Sequence, residues 1–344
     1  MSILPRSSTR SCSTENSHRK IWTIFTLLSF TVAAAFVLSV CCGSVSISLK
    51  ELFGALFDGE SKIYRIIAYV RLPRAAALIS GAALAVSGAI LQSVLNNSLA
   101  SPKTIGINSG SGMFVAICIS LFPGVPQLVP TAAFIGALLT TLLIYAIAYK
   151  TGASRITVIL AGIAISSLFG AVTDAIVTIF PDSLIGSNAF AVGGFSGVTL
   201  EKMKLAAMYI SIGLAAALVM SYDLNVMALG DEMASSLGMR TGIYRFIFII
   251  IASLLAGSAV SFSGLLGFVG LIVPHAARFL VGHDNRLLIP ASMLMGSAFC
   301  LICDLISRVI FSPFEIPVGI VMSFIGGPFF VYLLFRQKRG RLYD

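Results

Sequence analysis

The chain has 344 residues, of which 57% are hydrophobic and 11% are charged, and its formal net charge is +9. A mean hydropathy of +0.98 excludes a soluble globular protein and indicates a chain that crosses a membrane many times. Most Lys and Arg residues lie near the ends of apolar segments, so the positive charge does not indicate nucleic-acid binding.

Ten apolar segments follow one another, and they predict an all-α membrane protein with about ten transmembrane helices. A polar tail, Met1–Lys20, is predicted to be disordered. The transmembrane domain is predicted to cover residues 21–336, with a second tail at 337–344, and Ser48–Phe57 is predicted to form an interfacial helix. The predicted spans are 21–42, 72–95, 105–121, 128–149, 156–180, 205–222, 244–262, 266–281, 287–306 and 318–335.

The distribution of Lys and Arg predicts the orientation of these spans. An even number of spans puts both tails on one side, and that side carries the larger share of positive residues. Cytoplasmic segments are enriched in Lys and Arg, so both termini are predicted to be cytoplasmic. Three arginines, Arg71, Arg74 and Arg308, then lie on the external side.

The segment between spans six and seven contains a candidate docking helix at residues 224–242. Asp231 stands where an N-cap is expected and Gly238 where a C′ residue is expected, which predicts a helix of about two turns. Three residues at i, i+4 and i+8 form one apolar stripe: Leu229, Met233 and Leu237. This helix is either an ordinary structured loop or a knob that fits a groove on a partner protein.

Two segments with the same pattern, GxAxxxSG, indicate an internal repeat. They are Gly81–Gly88 in span two and Gly257–Gly264 in span seven. Span two is predicted to run inward and span seven outward. The pattern therefore predicts two inverted halves, spans two to five and spans seven to ten, an arrangement that many alternating-access proteins use.

The sequence contains no catalytic constellation. Cys300 and Cys303 form a CxxC within a span, without a second pair or a nearby His, so they are predicted to be buried residues and no metal site is expected. Asp174 and Asp304 are intramembrane carboxylates and functional candidates by position. Asp304 also has Arg308 at i+4, which favours a salt bridge within one helix. The lack of a carboxylate chain argues against a proton-driven carrier.

Four blocks of the sequence resemble, in order, the permeases that import iron–siderophores and vitamin B12. The blocks are Arg71–Gly112, Leu224–Met239, Gly264–Arg286 and Phe314–Arg336. Together they extend over nearly everything from Arg71 to Arg336. One departure is Ser98, which follows Asn97 where the family usually has Pro.

This resemblance implies a type II ABC importer permease in the bacterial cytoplasmic membrane. A second permease copy or a paralogue would complete a dimer. The dimer would sit on two cytoplasmic ATP-binding subunits and receive its substrate from an external substrate-binding lipoprotein. The chain would not be an enzyme and would bind no cofactor, because ATP and Mg²⁺ would bind to the partner subunits.

The resemblance also implies roles for particular residues of this chain. Coupling to the ATPase would involve Leu229, Asp231, Glu232, Ala234 and Gly238. Docking of the binding protein would involve Arg71, Arg74 and Arg308. The turn around Ser154 would match a cytoplasmic gate, and the segment containing Gly193, Gly194 and Gly197 would match a short external helix beside the pathway.

The leading hypothesis is therefore the permease of an importer for an iron–siderophore or a related metal chelate. Import of cobalamin, haem or an oxyanion on the same fold is the alternative within transport. A stand-alone secondary carrier would also use inverted halves, but it would need its own ion or proton site, and the sequence supplies no such site.

Overall fold

In the computed structural model, the described part of the chain is helical and contains no β-strand. The structure describes residues 9–42, 74, 76–150, 154–310, 312 and 314–340. The predicted interfacial helix at Ser48–Phe57 and Arg71 lie outside these residues. The α-helices are, in order, α1 (Thr9–Cys41), α2 (Ala76–Val94), α3 (Ile107–Leu121), α4 (Leu128–Lys150), α5 (Arg155–Ile179), α6 (Leu184–Val192), α7 (Leu200–Val219), α8 (Ser221–Ala228), α9 (Asp231–Ser236), α10 (Thr241–Ser263), α11 (Val269–Val281), α12 (Asn285–Val309) and α13 (Val318–Gly340).

Each of the ten predicted spans has a helix in the structure. Seven of these helices, α1, α2, α4, α5, α7, α10 and α12, are long and apolar enough to cross a membrane. The other three are shorter apolar helices, α3, α11 and the Val318–Tyr332 part of α13.

The first span begins earlier than the sequence pattern predicts. Helix α1 starts at Thr9, whereas the sequence predicts a span that begins at residue 21 after a disordered tail. Adding a residue to an existing helix fixes one residue for each new hydrogen bond, so a formed span extends readily into a polar flank.

Helices α2 and α10 form the centre of the bundle, since nearly all residues of α2 and about two thirds of those of α10 are buried. Helix α2 packs on α12, where a Cβ added to Gly81 would lie 2.1 Å from the Gly296 carbonyl oxygen. Helix α10 packs on α4, where a Cβ added to Gly257 would lie 2.8 Å from the Cβ of Ala137. The two repeated segments thus make equivalent crossings, span two with span nine and span seven with span four, as inverted halves require.

Two of the helices begin in the interior of the bundle. Helix α3 follows Gly106, which has φ +80°, and α11 follows Phe268, which has φ +66°. With 15 and 13 residues they reach only about 20 Å at 1.5 Å per residue, less than a hydrocarbon core of about 30 Å. The amino end of α3 lies against Gly162 in α5 and that of α11 against Gly88 in α2, so each is a half-helix that begins within the depth of the bundle.

Candidate coupling and docking sites

The predicted docking helix is present as the short helix α9. Gly230 occupies its N-cap with φ +110°, and Asp231 is the first helical residue, so the prediction that Asp231 caps the helix is wrong. Gly238 has φ +84° and its amide donates to the Ser235 carbonyl at 2.9 Å. The Met239 amide donates to the Ala234 carbonyl at 3.0 Å, which completes a Schellman motif and confirms Gly238 at C′.

The predicted apolar stripe points away from the bundle. Leu229, Met233 and Leu237 are 58%, 59% and 65% exposed, and Glu232 is exposed beside them. Ala234 is fully buried against this chain, so the structure does not present its side chain for contact with a partner. The exposed face of α9 is therefore an apolar ridge with an acidic flank.

The carboxylate of Asp231 joins α9 to two long helices. Oδ1 accepts hydrogen bonds from Nη2 of Arg155 at 3.1 Å and from Nη2 of Arg245 at 2.5 Å. Arg155 is the first residue of α5 and also donates to the Met227 carbonyl at 3.1 Å, while Arg245 lies in the second turn of α10. A displacement of α9 would therefore act on the starts of α5 and α10 together.

The predicted gate residue lies beside one of the arginine partners of this carboxylate. Ser154 is the N-cap of α5, and its Oγ accepts a hydrogen bond from the Thr157 amide at 3.2 Å. Ser154 immediately precedes Arg155, so the cap of α5 and the partner of α9 are adjacent residues. We refer to α8, α9 and the first turns of α5 and α10 as the coupling end of the bundle.

Neither arginine partner of Asp231 is predicted by the sequence. Arg155 lies 76 positions from Asp231 and Arg245 lies 14, so no helical spacing relates them. Their only sequence signal is that both lie at span ends predicted to be on the same side of the membrane.

At the opposite end, Arg74 forms an ion pair within the chain. Its Nη2 donates to both carboxylate oxygens of Glu315, at 2.8 and 2.9 Å. The Arg74 side chain is 12% exposed and the Glu315 side chain 33%. We refer to this pair together with Asp304 and Arg308 as the docking end of the bundle.

Arg308 is buried, which disagrees with an exposed docking role. Its side chain is 2% exposed, and Nη2 lies 2.8 Å from Oδ2 of Asp304, which is 1% exposed. The guanidinium also donates to the Cys42 carbonyl at 2.7 Å and to Oγ of Ser39 at 2.9 Å. The structure therefore supports the salt bridge within one helix that the sequence allowed as the alternative.

The glycine segment near the docking end is a turn, and the short helix precedes it. That helix is α6, and Gly193 ends it with φ +72°. A Cβ on Gly193 would lie 2.6 Å from the Leu265 carbonyl oxygen, so only glycine fits. The Gly194 amide donates to the Ser263 carbonyl at 2.7 Å, and Gly197 also has a positive φ, +75°. The segment thus fixes the end of α6 against α10 and the start of α11.

A cavity of about 670 Å³ opens beside this turn at the docking end. Arg74, Glu315 and Asp304 border it together with the glycine segment. An ion pair, a buried carboxylate and a glycine turn thus surround one opening between α6, α12 and α13.

Comparison with known proteins identifies the family. The FecCD transport family matches residues 31–336. The chain belongs to this family. It is 36% identical to the iron-uptake system permease protein FeuB of Bacillus subtilis over 93% of this chain and 98% of that protein. It is 37% identical to the iron(3+)-hydroxamate import permease FhuB of the same organism over 88% of this chain and 80% of that protein.

Further relatives support the same assignment. The chain is 37% identical to the Fe(3+)-citrate import permease YfmE of Bacillus subtilis, over 91% of this chain and 95% of that protein. Among solved structures it resembles an inward-facing metal-chelate type ABC transporter, with a TM-score of 0.83 at 29% identity over 91% of this chain and 99% of that chain. The chain is thus a multi-pass membrane permease of the ABC transporter class.

Proposed function

We propose that this FecCD-family chain is the permease subunit of an ABC importer that passes an iron–siderophore or a related iron chelate across the membrane. Three relatives are named for uptake of iron, ferric hydroxamate and ferric citrate, and the matches extend over most of each protein. The described residues contain no cluster of carboxylates or other metal ligands that would support the alternative, a secondary carrier.

The single observation that carries the mechanism is the position of Asp231. Its carboxylate holds Arg155 at the start of α5 and Arg245 in α10, while the other face of α9 is exposed. A partner that binds the exposed face of α9 can therefore move two transmembrane helices through the Asp231 carboxylate. Because Ser154 adjoins Arg155, this movement also repositions the proposed gate.

The chemistry of α9 suggests the kind of partner that it meets. An amphipathic helix with apolar residues at i, i+4 and i+8 typically lies in a hydrophobic groove. We place that groove on a cytoplasmic ATP-binding subunit, with two such subunits in the assembly. ATP and Mg²⁺ would bind there, because this sequence contains no G-x-x-x-x-G-K-[ST] loop to hold phosphates.

The remaining partners follow from surfaces that this chain leaves open. We place a second permease copy or a paralogue against α5, because α5 is the least buried of the seven long apolar helices among the described residues. An external binding protein would deliver the chelate at the docking end, and Arg74 is the described arginine best placed to meet its carboxylates. In this proposal both termini are cytoplasmic.

Uptake of radioactive ferric chelate into membrane vesicles tests the proposal. The permease is co-reconstituted with its ATP-binding subunit and its binding protein. We expect uptake that requires ATP inside the vesicle and the binding protein outside, and the purified permease alone should hydrolyse no ATP. Uptake driven by a proton or sodium gradient without ATP would instead identify a secondary carrier.

A further inference from the structure

A second cavity, of about 690 Å³, shares the wall residue Phe190 with the cavity at the docking end. Residues from α3, α5, α6, α13 and the segment before α11 line it. Its volume falls within the range of about 300–1,000 Å³ that is typical of small-molecule sites. The polar residues at its wall are Lys103, Asn108, Ser109, Thr173, Asp174, Ser187 and Ser323.

Asn108 is the residue that points to a ligand. It is 8% exposed, and its Oδ1 has no hydrogen-bond partner among the described residues. A buried amide without a partner costs free energy, and such groups in native proteins call for an explanation. Because Asn108 borders the cavity, a ligand in the cavity can supply the missing bond. The buried Oγ of Ser187, at the same wall, also has no partner in the described part of the chain.

The amino ends of both half-helices face the same cavity. Asn108 and Ser109 belong to the first turn of α3, while Gly267 and Phe268 immediately precede α11. A helix amino end carries roughly half a positive charge, and broken helices inside transporters direct such ends at anionic substrates. Lys103, which precedes α3, adds a full positive charge at this wall.

Asp174 makes the charge at one end of the cavity different from the charge at the other. It lies near the end of α5 that is opposite to Arg155 and Asp231, whereas the amino end of α3 lies against Gly162, which is nearer to Arg155 along α5. An anion that enters from the docking end therefore passes a carboxylate and then meets Lys103 with the two helix ends. The electrostatic potential along the wall thus becomes more favourable to an anion toward the coupling end.

We propose that this cavity is a transit site for an anionic, oxygen-rich metal chelate, held by Lys103, Asn108 and the first turns of α3 and α11. The inference rests on the proposed import function and adds the charge class of the cargo. A carboxylate-bearing ferric chelate satisfies the site, because its oxygens can meet the ammonium, the amide and the helix amino ends.

The charge of the site can be measured without transport. Ser109→Cys places a thiol at the cavity wall of the complete permease–ATPase complex in vesicles. We expect a sulfonate-bearing methanethiosulfonate to react at least about tenfold faster than its trimethylammonium counterpart, relative to their rates with free cysteine. The same chain without Ser109→Cys corrects for native cysteines.

Variants of the charged wall residues sharpen this measurement. Lys103→Gln should reduce the preference for the anionic reagent severalfold, and Lys103→Arg should retain it. Asp174→Asn should increase it. Lys150→Gln is the matched control, because Lys150 ends α4 and does not border the cavity. Equal rates for the two reagents, or a preference that Lys103→Gln leaves unchanged, would overturn the proposal.

Ferric citrate and a neutral ferric trihydroxamate then test the cargo. We expect ferric citrate to slow the labelling of Ser109→Cys and the trihydroxamate to slow it much less. If both protect equally, the site does not select anions and the inference fails. If the anionic preference and the protection are present but ATP-driven iron uptake is absent, the site stands and the proposed function fails.

Discussion

The two ends of this permease use an aspartate and arginine in opposite ways. At the coupling end, the Asp231 side chain is 41% exposed and its two partners belong to other helices. At the docking end, Asp304 and Arg308 are almost fully buried and lie four residues apart on α12. The first arrangement connects elements that can move relative to one another, and the second stabilises one helix and its contact with α1.

The difference follows from solvent access. Water reaches the Asp231 carboxylate and can replace its partners when the pairs separate, although the Arg155 and Arg245 side chains are only 15% and 4% exposed. A buried pair cannot separate without leaving a charge in an apolar interior, which costs several kcal/mol. The coupling end can therefore rearrange during a transport cycle, whereas the Asp304–Arg308 pair is expected to stay formed.

The largest effect is expected from breaking the buried pair. Arg308→Met leaves Asp304 without its cation and should lower stability by about 3–5 kcal/mol, with a loss of protein from the membrane. Thermal unfolding of the purified permease and the amount in the membrane measure this effect.

The double variant Arg308→Met with Asp304→Leu is the control for that loss. It removes both charges and should recover most of the stability, because no unpaired charge remains. If Arg308→Met keeps normal stability but weakens the affinity of the binding protein, Arg308 has the docking role that the family resemblance implied.

The next largest effect is expected at the ion pairs of Asp231 at the coupling end. Asp231→Asn keeps the size of the side chain but removes the charge that holds Arg155 and Arg245. Transport should fall at least about fivefold while ATP hydrolysis by the complex continues, because the loss lies in the coupling free energy. Asp223→Asn removes a neighbouring charge in α8 and serves as the control. Equal losses for both variants would argue against a specific role for Asp231.

A smaller effect is expected from the turn that ends α9. Gly238→Val forces a β-branched residue into φ +84°, at a cost of about 1–2 kcal/mol, and should displace the exposed ridge. Transport should fall severalfold with normal membrane insertion, and more so when Glu232→Arg is added. Gly124→Val is the control, because Gly124 lies outside the coupling end, has no positive φ and has open space for a side chain. Unchanged transport in the double variant would show that α9 is an ordinary structured segment without a coupling role.

The smallest effect is expected at Arg74. In Arg74→Glu the new carboxylate repels Glu315, and a candidate partner for carboxylates on the binding protein is lost. The affinity of the binding protein for the permease should therefore fall by about fivefold. Salt should weaken the wild-type complex and have less effect on the variant, since exposed charge pairs are screened. Affinity that is indifferent to both changes would leave Arg74 as the partner of Glu315 alone.

The sequence by itself determined the order of the apolar helices. Transfer of apolar segments into a bilayer depends on local composition, so each of the ten apolar segments corresponds to a helix in the structure, and seven of these helices are long enough to cross a membrane. Local backbone chemistry also placed Gly238 at the end of α9, because the positive φ that ends a helix favours glycine. The repeated segments Gly81–Gly88 and Gly257–Gly264 indicated two inverted halves, and the structure shows that the two segments make equivalent helix crossings.

Only the tertiary structure decided which side chains meet. Asp231 looked like an N-cap, but two arginines from distant positions hold its carboxylate. Lys103, Asn108 and Asp174 came together at one cavity although they lie on different elements. Such contacts depend on how helices cross and on which faces they bury, and these are properties of the packed bundle that no local sequence spacing encodes.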